Sequence, residues 1–222
     1  MEKRKIVIGD YNTAVNGWTL AGWKLSGAEP KTNYVEKPSG DGSWDLTTAL
    51  TDGVTRYRNR ELTVTLESSE GTRQEREAVI RQMVNLLDGL RWDIYLPDDD
   101  FHHVSGRVRV IREYNDLAHA AVTVTAVCDP WKYSNAETVI ALIATSSKQT
   151  TRLINNGRRV VVPILTVTGS GASVRLEYGT ASVSLSAGTY QLPDLLLPPG
   201  GTAIVYSGSG TVAITYREAV LE

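Results

Sequence analysis

Three aspartates and two histidines fall within six residues at Asp98-Asp99-Asp100-Phe101-His102-His103. Carboxylates and imidazoles so close together are ligands for a divalent cation, and a bound metal could activate water for hydrolysis. The context argues for something plainer. Pro97 and the aspartates separate the apolar run Trp92–Leu96 from a strand that begins near Val104, which is the composition of a solvated hairpin tip. Adjacent histidines on a strand also point to opposite faces, which hinders shared ligation. His119 stands alone between Ala118 and Ala120 and is read as structural. Cys128, the single cysteine, has no basic neighbour to lower its thiol pKa and is read as a buried small hydrophobe. One cysteine also excludes an intrachain disulfide framework and any CxxC zinc site. The chain has no Walker A loop, dinucleotide fingerprint, HExxH or GxSxG motif. The expectation is therefore no catalytic residue, no metal, no cofactor and no enzymatic activity.

The tryptophans are the other candidates. Trp18, Trp23 and Trp44 lie among glycines and polar residues, as expected of loops or extended segments near the surface. There they would either stack on sugar rings or anchor those segments to the sandwich or to a neighbouring subunit.

The elements that must position these residues are mostly strands. Leu62-Val64-Leu66 alternate with Thr63 and Thr65, and Val108-Val110, Val122-Val124, Val174-Leu176-Tyr178, Ile204-Tyr206 and Val212-Ile214-Tyr216 repeat the period of two. Gly169-Ser170-Gly171, Pro198-Pro199-Gly200-Gly201 and Ser207-Gly208-Ser209-Gly210 read as turns between strands. One helix interrupts the pattern over Thr72–Leu87, extending to about residue 88. Val79, Ile80, Met83, Val84 and Leu87 share a face, Thr72 and Glu75 fit a capping box, and Gly89 suits the left-handed residue after the last turn. The fold class is mainly β: two β-sandwich domains, the first with one packed α-helix covering apolar surface.

The 222 residues carry a net charge of −2, which lacks the basic excess of a typical duplex-DNA binder. No apolar run is long enough to span a bilayer, and after the charged start Met1–Lys5 only Ile6-Val7-Ile8 follows, too short for a signal-peptide core. The average conceals a division. Residues 1–131 hold all five tryptophans and all three histidines, with 16 basic and 20 acidic residues, leaving 7 and 5 for the remainder. Composition thus predicts domains at 1–133 and 134–222, with Ser134-Asn135-Ala136-Glu137 as a short connector.

The order of several short motifs resembles the distal tail (Dit) proteins of siphophages. At the start these are Tyr11-Asn12-Thr13, Gly22-Trp23-Lys24-Leu25, Pro38-Ser39-Gly40-Asp41-Gly42 and Asp45-Leu46. Gly53-Val54-Thr55-Arg56-Tyr57-Arg58-Asn59-Arg60 leads into an alternating strand, and the helix and the exit Cys128-Asp129-Pro130-Trp131-Lys132-Tyr133 follow. Ile214-Thr215-Tyr216-Arg217-Glu218 before Leu221 is similar to the family's closing strand, although Ala219 stands where glycine is frequent. The resemblance implies a first domain assembled into a hexameric ring and a second, small galectin-like sandwich outside it. Such a protein would be a structural virion component of the tail tip or baseplate, made in the bacterial host cytoplasm. Its partners would be the tail tube protein, a tail-associated lysin or fibre protein and adsorption proteins. DNA would pass through the channel without specific binding, and no membrane insertion is expected. The length leaves no room for the carbohydrate-binding insertions of longer relatives. The rival expectation is a carbohydrate-binding module that recognises the bacterial cell surface.

Overall fold

A computed structural model describes residues 5–51 and 53–222, so the charged start Met1–Arg4 lies outside the described residues. The chain divides into two compact units, one ending at Lys132 and including Glu222, the other spanning Tyr133–Leu221. It is mainly β, built of curled antiparallel sheets in β-sandwich domains, with one α-helix among the described residues. Among the described residues no helix is long and apolar enough to cross a membrane.

In the first unit, β1 (Val7–Ile8), β2 (Tyr11–Asn12) and β3 (Thr19–Leu25) precede a separate hairpin, β4 (Tyr34–Glu36) and β5 (Ser43–Asp45). Then come β6 (Arg60–Ser68), α1 (Arg73–Leu87), β7 (Arg91–Tyr95), β8 (His102–Asn115) and β9 (Ala120–Ser134). The main sheet follows the order β2-β1-β7-β8-β9-β6-β3. Leu62, Val64 and Leu66 on β6 are buried while Thr63 stays exposed, and β6 pairs with β9 so that Val64 faces Val124. The period of two thus delivers one apolar face to a core shared with Ile6, Ile8, Ile94 and Val104.

Helix α1 closes that core through Ile80, Met83 and Leu87, packing against β8. Its start is a complete capping box. Thr72 Oγ1 accepts from the Glu75 amide at 3.3 Å, and Glu75 Oε2 accepts from the Thr72 amide at 2.7 Å. Glu75 is held below its usual carboxylate pKa first by the bond from the Thr72 backbone. Gly89, at φ +75°, provides the left-handed stop just past the helix. Thr72→Ala should cost about 1 kcal/mol of first-unit stability, the usual loss for a removed N-cap. Urea titration followed by tryptophan fluorescence measures this; an unchanged midpoint would show that tertiary packing alone fixes the helix start.

The second unit comprises β10 (Thr138–Ala144), β11 (Gln149–Asn155), β12 (Ile164–Tyr178), β13 (Ala181–Ser186), β14 (Gly188–Gln191), β15 (Gly200–Tyr216) and β16 (Ala219–Val220). Two of the three glycine-rich stretches expected to be turns are not turns. Gly169-Ser170-Gly171 lies inside β12, and Ser207-Gly208-Ser209-Gly210 lies inside β15. The β12–β15 register shifts between Thr168 and Ser173, which makes this a bend in two continuous strands. Below the bend β12 pairs with β14, and above it with β13; β15 pairs with β11 on one half and β10 on the other. One kinked strand pair therefore serves both halves around a core of Leu153, Leu165, Leu176, Ile204 and Ile214.

Candidate functional site

The carboxylate–imidazole cluster forms the β7–β8 hairpin tip. Asp99 organises it: Oδ1 accepts from the His102 amide at 3.0 Å and lies 3.1 Å from His102 Nδ1, while Oδ2 accepts from Lys132 Nζ at 3.1 Å. Burial opposes the charge on Asp99, but the bonds from Lys132 and His102 outweigh it and hold the carboxyl below its ordinary pKa. His102 is half-buried at this tip. His103 is buried beside the Tyr95 ring, 5.2 Å between centroids, with Nε2 3.7 Å from Asp93. Among the described residues no three His, Cys, Asp or Glu side chains gather where they could hold a metal. His119 is exposed in the β8–β9 tip, where Asp116 Oδ1 accepts from its amide at 2.7 Å. Cys128 is fully buried; that burial, with the Asp129 carboxylate beside it, pushes the thiol up to about 12, far from a reactive thiolate. This chemistry holds loops in place.

The tryptophans separate. Trp18 is not near the surface: it is 1% exposed in the first core, and its Nε1 donates to Tyr11 Oη at 3.1 Å. The loop before it turns the ring inward, because the Trp18 amide bonds back to the Thr13 carbonyl at 3.0 Å. Trp23 is half-buried against the same core. Trp44 alone of the three is exposed, on β5.

β4 and β5 form an arm. Every residue from 29 to 46 is exposed. Backbone bonds at its base tie it down, Lys31 N to Arg56 O and Arg58 N to Glu29 O, both 2.8 Å. Val35 faces Trp44 across the pair, and Leu46 follows two residues on. Tyr34 and Glu36 share the other face with Ser43 and Asp45. A lone two-stranded hairpin is marginal in water, and this one displays its apolar side chains to solvent, so its geometry suits contact with another chain.

No protein-family model matches the chain, and no curated protein sequence matches it. Among solved structures, the SPP1 Dit protein (gp 19.1) aligns with TM-score 0.67 and 16% identity over 96% of this chain and 98% of its own. This chain has the Dit fold. A structure of the phage p2 baseplate in its activated conformation aligns with TM-score 0.50 and 9% identity, again over 96% and 98%. The SPP1 protein is described as a paradigm of hub adsorption apparatus in phages that infect Gram-positive bacteria.

Within the Dit fold, several of the resembling motifs sit at joints. Asn12 Oδ1 accepts from the Ala14 amide at 3.1 Å, Gly22 follows a register shift in the β3–β6 pair, and Tyr57 meets Trp131 edge to face at 5.6 Å. Arg60 is buried and its Nε donates to Ser26 O at 2.6 Å. Sequence reasoning missed Arg76, which is 3% exposed on the inner face of α1. Its Nη1 donates to Gly71 O at 2.7 Å, and Nη2 to Asp116 O at 2.9 Å and Leu117 O at 3.1 Å. Nε reaches Asn115 Oδ1 at 3.4 Å, and Asn115 in turn donates to Glu77, which pairs with Arg112. The available signal was spacing: Arg76 precedes Ile80, Met83 and Leu87 by four, seven and eleven residues, along the buried stripe.

Proposed function

We propose that this chain is a structural subunit of a phage tail tip that assembles, six copies to a ring, between the tail tube and the adsorption apparatus. The carrying observation is the Dit fold over nearly the whole chain, together with an arm whose Val35, Trp44 and Leu46 have no cover. A ring requires a heterologous contact, one patch meeting a different patch on the next copy, and an arm that leaves its own body is suited to it. The first 131 residues carry 16 basic and 20 acidic side chains. That excess of acid supports a channel through which DNA passes without being held, because like charge opposes close phosphate contact. The second unit is proposed as a galectin-like sandwich outside the ring, and the protein would reside in the virion tail and catalyse nothing.

The test is assembly of the full chain by light scattering and negative-stain microscopy, with and without neighbouring tail proteins. Wild type should form rings, and Val35→Ser with Trp44→Ser should abolish them without changing the far-UV spectrum, since both side chains are exposed. Rings that form equally well in the double variant would overturn the role of the arm. Glycan binding by the wild type that disappears in Trp44→Ala would instead favour the carbohydrate-binding reading.

A further inference from the structure

A hollow of about 220 Å³ opens on the first unit where the β2–β3 loop, the end of β6 and the start of α1 meet. Buried Trp18 and half-buried Val79 give it an apolar lining. Two left-handed glycines stand in its wall, Gly17 at φ +77° and Gly71 at φ +70°. A Cβ on Gly17 would lie 3.3 Å from Glu70 Oε2, and one on Gly71 2.8 Å from Glu75 Oε2. Arg76 also lines the hollow, but it is buried and directs its donors to the Gly71, Asp116 and Leu117 carbonyls. The exposed charges around the opening are therefore the carboxylates of Glu70 and Glu75.

Volume and charge select an occupant. A cavity of about 150 Å³ holds one benzene ring, and sites for whole small-molecule ligands run from about 300 to 1,000 Å³. The hollow falls between these, at the size of one large aromatic side chain. Among the described residues four aromatic side chains are exposed: Tyr34, Trp44, Phe101 and Tyr114. Phe101 follows Asp98, Asp99 and Asp100, and Tyr114 follows Glu113. Tyr34 shares its face of the arm with Glu36 and Asp45. Carboxylates at the opening repel all three. Trp44 differs, because its face of the arm carries a cation. The Lys37 amide bonds to Gly42 O at 3.4 Å, which extends the β4–β5 pairing and puts exposed Lys37 on the face of Val35 and Trp44.

We infer that this hollow receives Trp44 from the arm of a second copy of the chain, with Lys37 beside Glu70 at its opening. This rests on the reading of the arm as the contact between copies, and it names the surface that the arm meets. Trp44 is 51% exposed in its own chain, so it does not fill the hollow there. The same docking turns Glu36 and Asp45 away from Glu70 and Glu75, which fixes which face of the arm lies inward. The contact is heterologous, arm to hollow, and each copy keeps a free arm or a free hollow until the ring closes. One indole and one ion pair make a weak contact, strengthened where several copies are already joined.

Mixing two variants of the full chain reads the contact without a ring. Trp44→Ser keeps the hollow and loses the indole, whereas Val79→Phe keeps the arm and fills the hollow. Neither should assemble alone. Mixed, with one of them isotopically labelled, they should form a pair that a carbodiimide joins by an amide between Lys37 of the Val79→Phe copy and Glu70 of the Trp44→Ser copy. Mass spectrometry of the cross-linked peptides identifies both ends. Glu70→Lys, at an exposed position, closes the hollow to Lys37 without touching the core and replaces Val79→Phe if that variant loses its native far-UV spectrum. Combining Glu70→Lys with Lys37→Glu should restore assembly. A mixture without the Lys37–Glu70 link would overturn the inference. So would rings that form as well in Val79→Phe and Glu70→Lys as in wild type, an outcome that leaves the ring itself standing. A Lys37–Glu70 link in the mixture with no ring in wild type would overturn the ring and keep this contact.

Discussion

Gly208→Ala is expected to unfold the second unit while the first stays native. Gly208 sits at φ +128°, in the bend of β15, where a side chain is strained by the backbone alone. A Cβ there would lie 2.0 Å from the Ser173 carbonyl oxygen and 3.1 Å from Val174 Cα. Both obstacles are backbone of the paired strand, so no rotamer change relieves them. Separating the strands would break the register that serves both halves of the sandwich, and the expected cost is about 4 kcal/mol or more. Gly171→Ala is the control. It shares the bend and a left-handed φ of +64°, but nothing lies within 4 Å of its Cβ, so it should lose only about 1 kcal/mol. Since all five tryptophans lie in residues 1–131, their fluorescence reports the first unit alone. Hydrogen exchange across β12 and β15 reports the second. Native protection there in Gly208→Ala would show that the bend tolerates a side chain and that the packing around Ser173 is looser than described.

The same bend shows how far the sequence was legible. Alternation identified the strands because each has one buried face: Leu62, Val64 and Leu66 are inward and Thr63 outward, a local pattern that needs no knowledge of the partner strand. The helix was equally legible, since Thr72, Glu75 and Gly89 act within one turn of its ends. Gly169-Ser170-Gly171 and Gly208-Ser209-Gly210 were not, because glycine permits positive φ in a turn and in a bulge alike. Only the opposing strand decides between them. Trp18 failed for a related reason. Asn16 and Gly17 do form a surface loop, yet the ring following it turns back onto Tyr11, a contact seven residues away that composition cannot reveal. At the candidate site, the hairpin tip of Asp99 was legible from Pro97 and the aspartates. The exposure of Trp44 was suggested by its glycine-rich surroundings, but its pairing with Val35 on a separate hairpin was not.

Arg76→Ala should cost the first unit about 2 kcal/mol, because it removes three part-buried charge-assisted hydrogen bonds as well as the buried stem. The guanidinium bonds three backbone carbonyls, at Gly71, Asp116 and Leu117, and so joins the start of α1 to the β8–β9 tip. Those carbonyls belong to exposed residues of two loops, and their bonds to Arg76 are part-buried. Water reaching the exposed tip recovers part of the loss, which keeps the expected figure below the sum of three orphaned groups. Arg76→Lys should fail almost as badly, because one ammonium cannot span the separate directions of Nε, Nη1 and Nη2. Arg76→Met preserves much of the apolar stem and removes the donors, so it separates packing from hydrogen bonding. Urea titration by tryptophan fluorescence should place Met close to Ala and both far from wild type. If Arg76→Met falls within about 0.5 kcal/mol of wild type, the stem would be what matters. The helix would then be held by Ile80, Met83 and Leu87 alone, with the Asn115–Glu77–Arg112 chain resting on a side chain the core does not need.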